Sequence, residues 1–323
     1  MTASLPPQVQ RVFERFVTTE YTTVDVNGQP ITWPVTPYYK PGAETIDLNT
    51  GIGYPKKADD AERNPKVSLL FSDPTGSGID APPAVLVQGP AEVDYRDLDA
   101  NRERYVRESG EKLPVTKNQH PPKFLRGMFD WYYARIYIKV RPERVYVWDG
   151  CDFSAEPTLY DANVEEVRSA HVEQPLSEQA APAHRAPVWD DRMDDLGSRH
   201  KTAVLTRVAP DGFPISARVP ISPDRPAKRI RIDQMPEAME ATAGRACLVA
   251  HEHEPRFKWQ INFQVRGDLE QVGEQWTFTP DKMVGGFELP PGPLKRWTVN
   301  ARKMRRMRKF GKGEMARRRA AVG

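Results

Sequence analysis

Apolar and polar positions alternate with a period of two over most of the first half of the chain, in short runs broken by Gly, Pro and Asn. The first run ends at Asn27-Gly28, the strongest short-range hairpin signal. Later runs recur at a spacing of roughly 8–12 residues, as is typical of a small β-barrel. Helical periodicity is confined to 8–16, 57–64 and 95–112. The pattern therefore predicts a mainly β chain with flanking helices, with strands at YTTVDV, ITWPVTPYY, ETIDLNT, VSLLFSD, AVLVQGPAEV and RPERVYVWDG.

The second half of the chain weakly repeats the first. Residues 202–221 follow the same order as 20–39, namely strand, Asn/Asp-Gly turn, Pro and second strand. Further on, Gly267 corresponds to Gly89 in matching apolar runs. Because the matches keep one order, a tandem duplication is favoured, although all small barrels share this strand–turn–strand grammar.

These patterns predict two tandem barrels in a chain of 323 residues, a length that suits two domains. The first domain is predicted over 1–170 and the second over 192–294. A segment rich in Pro, Ala, Gln and Glu at 171–191 is interpreted as the linker between them. Residues 295–323 are predicted to form a separate basic tail.

Charge is distributed unevenly along the chain. From Lys295 to Arg319 there are twelve Lys/Arg and one Glu, a net of +11, which leaves −8 for the rest of a chain with a total of +3. The tail is predicted to be a basic helix or an extended arm. A solvated end, docking on the acidic body, contact with the anionic end of a ligand, and binding to nucleic acid or a membrane surface all remain open.

The composition favours a soluble cytoplasmic protein. No run approaches the roughly 18 apolar residues of a membrane span, and the first residues lack the features of a secretory signal. The two cysteines have no metal-ligand spacing, and Cys247 is predicted to be a small core residue. His251 and His253 form a solvated or interface pair in this interpretation, so no metal site is predicted. The pattern identifies no catalytic acid, base or nucleophile.

One loop carries candidate binding chemistry. A predicted strand ends at Thr50, a Gly-x-Gly turn follows, and Lys56 and Lys57 come where a short helix begins. Free backbone N–H groups at a helix start, together with two ammonium groups, form a phosphate site. A solvated loop with surface lysines explains the same residues.

The order strand, Asn-Thr-Gly-x-Gly, basic pair, short helix, Asn-Pro and apolar strand resembles the FMN-binding split β-barrel family. That family includes pyridoxamine 5′-phosphate oxidases and the actinobacterial flavin/deazaflavin oxidoreductases. Thr50, Lys56, Lys57, Asn64 and Pro65 occupy the matching positions. The resemblance covers about residues 15–155, and it implies that these lysines grip a cofactor phosphate.

The resemblance also implies further cofactor contacts. The backbone of the second strand would lie along the isoalloxazine ring, which places Val35, Thr36 and Tyr38 near it. Gln88 would contact the ring or the ribityl chain. Trp148, followed by a polar residue and Gly in the closing strand, would contact the flavin.

The chain also departs from the family pattern. Pyridoxamine phosphate oxidases carry an Arg-x-His-x-Arg set after the Trp, where this chain has Ser154, Glu156 and Thr158, so vitamin B6 oxidation is not expected. In the second half, the stretch that corresponds to the phosphate loop contains Glu237 and no basic pair. An acidic loop repels phosphate, so the second barrel is predicted to be degenerate and to pack against the first or cover it.

The resemblance implies an oxidoreductase that binds FMN or the deazaflavin coenzyme F420 in the first barrel and acts on a small organic substrate. A homodimer through the first barrel is also compatible with the family. Two rival functions remain: a non-catalytic flavin or haem carrier, and a nucleic-acid-associated protein that acts through its tail. The aromatic segment 113–133, with Lys117, Lys123 and Arg126, either covers the cofactor or packs at the surface.

Overall fold

A computed structural model describes residues 5–113, 116, 130–161, 180–286 and 293–322, with side chains omitted at 130 and at 293–307. The basic positions of the 113–133 segment and residues 171–179 of the predicted linker lie outside these ranges. The start of the tail, 295–307, is described by its backbone alone. Among the described helices, none is long and apolar enough to cross a membrane.

The first half of the chain forms one mostly antiparallel sheet with four helices. We refer to strands β1–β8 as the N-terminal sheet. Its elements are α1 (Pro7–Arg15), β1 (Thr19–Val24), β2 (Pro30–Val35), β3 (Ile46–Gly51), α2 (Lys56–Arg63), β4 (Lys66–Phe71), β5 (Ala84–Asp94), α3 (Leu98–Lys112), α4 (Asp130–Tyr133), β6 (Arg135–Val140), β7 (Arg144–Trp148) and β8 (Thr158–Asp161).

The second half forms a closed six-stranded barrel, followed by a long helix. We refer to strands β9–β14 as the C-terminal barrel. Its strand order is β10-β11-β14-β13-β12-β9. The elements are β9 (Thr202–Val208), β10 (Pro214–Asp224), β11 (Arg229–Ile232), β12 (Gly244–His253), β13 (Gln260–Val272), β14 (Gln275–Gly285) and α5 (Pro293–Val322).

The N-terminal sheet is a split barrel. Its strand order is β2-β1-β4-β5-β6-β3, and β7 pairs with β5. Strand β5 pairs with β7 through Ala84–Gln88 and with β6 through Ala91–Asp94. An isolated bridge between Tyr38 and Asp47 joins the chain beyond β2 to β3. The expected mainly β architecture with two barrel-like halves is therefore confirmed.

The repeat noticed in the sequence has a structural basis in two glycines. At Gly89, where β5 changes partners, an added Cβ would lie 1.8 Å from the Arg141 carbonyl oxygen. At Gly267, beside a register shift in β13, it would lie 2.1 Å from the Thr279 oxygen. Both halves thus need a residue without a side chain at the point where a neighbouring backbone crosses a bent strand.

Four strands were not predicted from the sequence: β6, β8, β11 and β14. Strand β6 lies between the aromatic segment and the predicted strand RPERVYVWDG, and its alternating run of apolar and basic residues was assigned to neither. Strands β8 and β11 have only four residues each, too few to establish a period of two. Hydrogen bonds to neighbouring strands stabilise both: β8 pairs with β7, and β11 pairs with β10 and β14.

The two halves pack against each other through a mixed apolar and polar interface. The core of the C-terminal barrel extends across the interface to Leu70, Leu86 and Trp148 of the N-terminal sheet. Side chains also donate hydrogen bonds across it, from Gln29 to the Ala246 carbonyl and from Thr32 to Thr206. The interface is buried and specific, so it fixes the position of one half relative to the other.

The end of the basic tail forms a helix that docks on the first half. Met315 joins the N-terminal core, and a Cβ at Gly311 would lie 3.2 Å from Trp131 Cε3. Arg318 is buried, with its guanidinium on the Asp59 carboxylate and 4.6 Å above the Tyr95 ring. Docking on the acidic body, one of the interpretations left open, therefore describes residues 308–322.

Replacing Arg318 with alanine is expected to destabilise the docked end of α5. The change removes a buried cation from the Glu314 and Asp59 carboxylates and leaves them paired with the more exposed Arg317, at a cost of about 2 kcal/mol. Amide hydrogen exchange of residues 308–322 should accelerate. Arg319→Ala is the matched control because its pair with Asp99 is exposed at both ends, and exchange should hardly change. Equal effects of the two substitutions would contradict this account.

Candidate functional site

A cavity of about 290 Å³ opens where the N-terminal sheet meets the C-terminal barrel. We call it the interface cavity. Its volume lies near the lower end of the roughly 300–1,000 Å³ typical of small-molecule sites. It is lined by Thr18, Pro34, Val35, Thr36, Tyr38, Asn49, Thr50, Gly51, Gly53, Tyr54, Lys57, Tyr105, Leu113, Thr116, Trp131, Tyr132, Arg135, Phe257 and Gln260.

Two chain segments of the first half bring predicted residues to the cavity. The chain leaving β2 supplies Val35, Thr36 and Tyr38, and the end of β3 supplies Thr50. The Thr50 hydroxyl donates to the Tyr54 carbonyl at 2.8 Å and so holds the Gly-x-Gly turn in shape. Four of the sequence-predicted contacts therefore share one cavity.

Lys56 and Lys57 diverge at the start of α2. Consecutive residues of a helix point about 100° apart, so a neighbouring pair cannot share one face. Lys56 is exposed, and its Nζ lies 2.9 Å from Asp60 and 4.0 Å from Asp25. Lys57 lines the cavity instead. The structure thus places only one of the two predicted lysines at the cavity.

The Lys57 ammonium has neither an ion pair nor a hydrogen bond with any other described residue. Burial without a compensating charge lowers the pKa of Lys57 to about 8. An anion bound beside it would restore the missing interaction. This lysine is consequently poised to bind a negatively charged group.

A second cation, which the sequence analysis did not identify, lies in the same cavity. Arg135 begins β6, and its guanidinium lies 3.8 Å from the centre of the Tyr105 ring. It donates to the backbone carbonyls of Tyr132 and Ala134, at 2.6 and 3.1 Å. The described lining contains no Asp or Glu, so the cavity combines two positive charges with no acidic side chain. The alternating Arg-Ile-Tyr-Ile-Lys-Val run was the signal that would have located Arg135.

Aromatic side chains form much of the remaining wall. Tyr54, Trp131 and Tyr132 come from the first half, and Phe257 comes from the β12–β13 connection of the C-terminal barrel. Trp131 and Tyr132 end the aromatic segment that was expected either to cover a cofactor or to pack at the surface. The C-terminal barrel therefore completes the cavity of the first half, with Gln260 as its polar contribution.

Gln88 and Trp148 lie outside the interface cavity. The Gln88 amide donates to the Pro214 carbonyl at 2.8 Å across the domain interface. Trp148 is buried in the shared core, with ring centroids 5.0 Å from Phe153 and 6.2 Å from Tyr146. Both belong to the part of the sheet that faces the C-terminal barrel, so packing against that barrel accounts for their positions.

The corresponding region of the C-terminal barrel carries different side chains. A short helical turn, Glu237–Met239, stands where α2 stands in the first half, and buried Arg207 donates to the Met239 carbonyl. An acidic turn with its neighbouring arginine bound to backbone offers no free cation among the residues described there. The turn in the second half therefore carries Glu237 and lacks the basic pair of the first.

A buried polar network joins the halves beside the cavity. Glu20 accepts from His251 at 2.5 Å and from Arg218 at 3.0 Å, and Asp73 lies 3.7 Å from His251 and 3.5 Å from His253. The histidine pair is therefore an interface pair. No group of His, Cys, Asp and Glu among the described residues is arranged to hold a metal ion.

This network should make stability depend on pH through Glu20. Burial alone would raise the pKa of Glu20, but the hydrogen bond and charge of His251, with Arg218, lower it below the usual 4.5. A lowered folded-state pKa adds stability above pH 4.5, which is lost as the pH falls below that value. Glu20→Gln should cost about 3 kcal/mol at neutral pH and flatten the acid decline of the thermal midpoint. Parallel pH curves for the two proteins would refute this assignment.

No family model and no curated protein matches this chain. Among solved structures, it is similar to a putative pyridoxamine 5′-phosphate oxidase of Listeria innocua, with 17% identity over 43% of this chain and 94% of that one, at a TM-score of 0.31. An F420 reductase shows 20% identity over 44% and 98%, at 0.32. The haem storage protein HutZ of Vibrio cholerae shows 17% identity over 45% and 94%, at 0.33. The first two names fall in the family that the sequence resembles.

Proposed function

We propose that this protein binds a flavin-type cofactor, FMN or coenzyme F420, in the interface cavity and uses it in an oxidoreductase reaction on a small organic substrate. The observation that carries the proposal is the pairing of two cations, Lys57 and Arg135, with aromatic walls and no acidic side chain in the described lining. Such a lining suits a ligand with a flat aromatic body and a phosphate.

The chemistry of the lining fits the parts of such a cofactor. Lys57 would hold the phosphate because its ammonium lacks a counter-ion. The aromatic side chains would flank the ring, and the segment carrying Val35, Thr36 and Tyr38 would lie along its edge. When bound, the cofactor supplies hydride or electron transfer, while the protein binds it, orients it and excludes water from it.

The C-terminal barrel has a defined part in this proposal. Phe257 and Gln260 reach the cavity from its β12–β13 connection, so the second half completes a site that the first half only begins. One chain would then provide both barrels around a single cofactor. The second barrel would serve as a wall, consistent with its lack of a basic loop.

The direct test is titration of the full-length protein with FMN and with F420, followed by fluorescence quenching. Saturable binding of at least one of them at a single site per chain is expected. Turnover with a chemical reductant and an acceptor dye would then distinguish an enzyme from a carrier. Failure of both ligands to bind would refute the proposal.

Titration with haem tests the alternative that the protein is a haem carrier. Proteins bind haem iron through His, Cys, Met or Tyr side chains. The described lining of the interface cavity offers only Tyr from this set, and burial raises the pKa of Tyr54 and Tyr132, which disfavours tyrosinate. Haem is therefore expected to leave FMN or F420 binding unaffected.

Binding should weaken at alkaline pH. Because the pKa of Lys57 is about 8 in the free protein, its charge is present below that pH and is lost above it. The dissociation constant for FMN should accordingly rise by up to tenfold per pH unit above about pH 8, until the pKa of the complex is reached. Affinity that is constant from neutral to alkaline pH would mean that Lys57 does not contact the ligand.

A further inference from the structure

One lining residue of the interface cavity is bonded to the buried network behind it. Thr18 precedes β1, is buried, and has its Oγ1 3.2 Å from Nε2 of His253 on β12. The hydroxyl makes no other hydrogen bond with the described residues. Its remaining hydrogen-bonding position is therefore open to a molecule in the cavity.

The state of the imidazole decides which way the Thr18 hydroxyl points. Nδ1 of His253 lies 3.2 Å from the Glu254 carbonyl oxygen, and a carbonyl only accepts, so Nδ1 carries a proton. In neutral His253, Nε2 is then unprotonated and accepts from Thr18, which leaves the threonine oxygen as an acceptor toward the cavity. In protonated His253, Nε2 donates to Thr18, and the hydroxyl is free to donate into the cavity.

The groups around His253 set its resting state. Burial lowers the pKa of His253, while the Asp73 carboxylate at 3.5 Å opposes this shift. His251 and Glu20 face it from β12 and β1, and the Phe257 ring lies 5.2 Å from its own ring. His253 is therefore neutral near pH 7 in the free protein. The Asp73 carboxylate would stabilise the protonated imidazole when a bound molecule favours that form.

We propose that Thr18 and His253 form a proton relay that supplies a proton to, or accepts one from, the molecule bound in the interface cavity. The proposal rests on the proposed function, since it assigns the proton route that a flavin-type site needs. Thr18 is the group that would touch the ligand, and His253 acts through it. Neither residue was identified as functional from the sequence.

The relay conserves protons at each step. Thr18 releases its hydroxyl proton to an acceptor atom in the cavity as it takes the Nε2 proton of His253, which becomes neutral. Asp73, with a side chain that is 16% exposed, lies between solvent and Nε2, so a new proton reaches His253 along that carboxylate. In the opposite direction, the same route removes a proton from the cavity.

The test uses imidazole nitrogen NMR of the full-length protein, with FMN and then F420 as probes. In the free protein, His253 should show the Nδ1–H form and titrate below its usual 6.5. Oxidised FMN presents mainly acceptor atoms, so binding should favour the donating hydroxyl and raise the pKa of His253 by about one unit, equivalent to tenfold in affinity. Thr18→Val should abolish this shift, and Thr18→Ser should retain it.

FMN affinity measured between about pH 5 and 8 gives the second readout. Compared with the wild type at each pH, His253→Gln and Thr18→Val should both lose about a tenfold pH-dependent component. Titration of the phosphate and of Lys57 is common to all variants and cancels in this comparison. His184→Gln is the control because that histidine is 70% exposed and lies outside the described lining.

The outcomes separate the relay from the proposed function. Wild-type protein that binds FMN or F420 while His253 titrates identically with and without the probe would overturn the relay and leave the function standing. Wild-type protein that binds neither probe would overturn both. A ligand-induced shift that persists in Thr18→Val would show that His253 senses the ligand by another route, and would also overturn the relay.

Discussion

Replacing Lys57 with methionine is expected to weaken FMN or F420 binding by about 100-fold. The substitution removes the charge while keeping the length of the side chain, and a hydrogen bond to a charged group contributes about 2–3 kcal/mol. Because the Lys57 ammonium is buried without a partner, the free protein should lose no stability, and its thermal midpoint should be equal or higher. Fluorescence titration and thermal unfolding of the same samples measure both effects.

The neighbouring lysine provides the matched control. Lys56→Met removes the same charge one residue away, from an exposed side chain that pairs with Asp60 and Asp25. Affinity should stay within about twofold of the wild type because Lys56 lies outside the cavity lining and its charge is screened by solvent. Equal losses in the two variants would indicate a general electrostatic effect of α2, and would contradict the assignment of Lys57 as the phosphate ligand.

Gly89→Ala is expected to destabilise the first half by about 3 kcal/mol or more. Its Cβ would lie 1.8 Å from the Arg141 carbonyl oxygen and 2.9 Å from the Arg141 carbonyl carbon, and both are backbone atoms that cannot rotate away. Relief requires β5 to separate from the β6–β7 connection, and overpacking of this kind costs at least 1–3 kcal/mol. Urea unfolding measures the loss.

Substitutions of two further glycines serve as comparisons for Gly89→Ala. Gly267→Ala should destabilise by a similar amount, since its Cβ would lie 2.1 Å from the Thr279 oxygen at the corresponding position of the C-terminal barrel. Gly313→Ala, on the exposed face of α5 with nothing within 4 Å of the added atom, should stabilise by up to about 1 kcal/mol. A mild effect at Gly89 alone would mean that the two strands do not bend for the same reason.

The sequence was a good guide where local signals fix local structure. Alternation of period two and the Asn27-Gly28 turn predicted β1 to within about two residues and the start of β2 to within one, because hairpins depend on neighbouring residues. Strand β2 ends at Val35, four residues before its predicted end. Helix α2 was predicted one residue late, within the usual uncertainty of helix ends. The short strands β8 and β11 were missed because four residues are too few to show a period of two, although each pairs with the strand that directly precedes it.

The residues of the candidate site likewise fall into those that the sequence predicted and those that only the tertiary structure brings together. The resemblance to a known order of strands correctly predicted that four residues share one site: Val35, Thr36, Tyr38 and Thr50. Arg135 was not identified because the alternating run that contains it was not recognised as a strand, and only the tertiary structure shows that this strand pairs with β3. Phe257 lies 200 residues from Lys57 and reaches the cavity only because the two halves dock.

The Lys56-Lys57 pair shows most clearly what the sequence determined and what the tertiary structure determined. The sequence by itself determined that two cations follow a strand at the start of a helix, and that the second half lacks them. Only the tertiary structure decided that the exposed Lys56 pairs with the buried Asp60, while Lys57 enters a cavity without a counter-ion among the described residues. The reason is geometric, because successive helical residues diverge by about 100°, and the docked barrel determines which direction is buried.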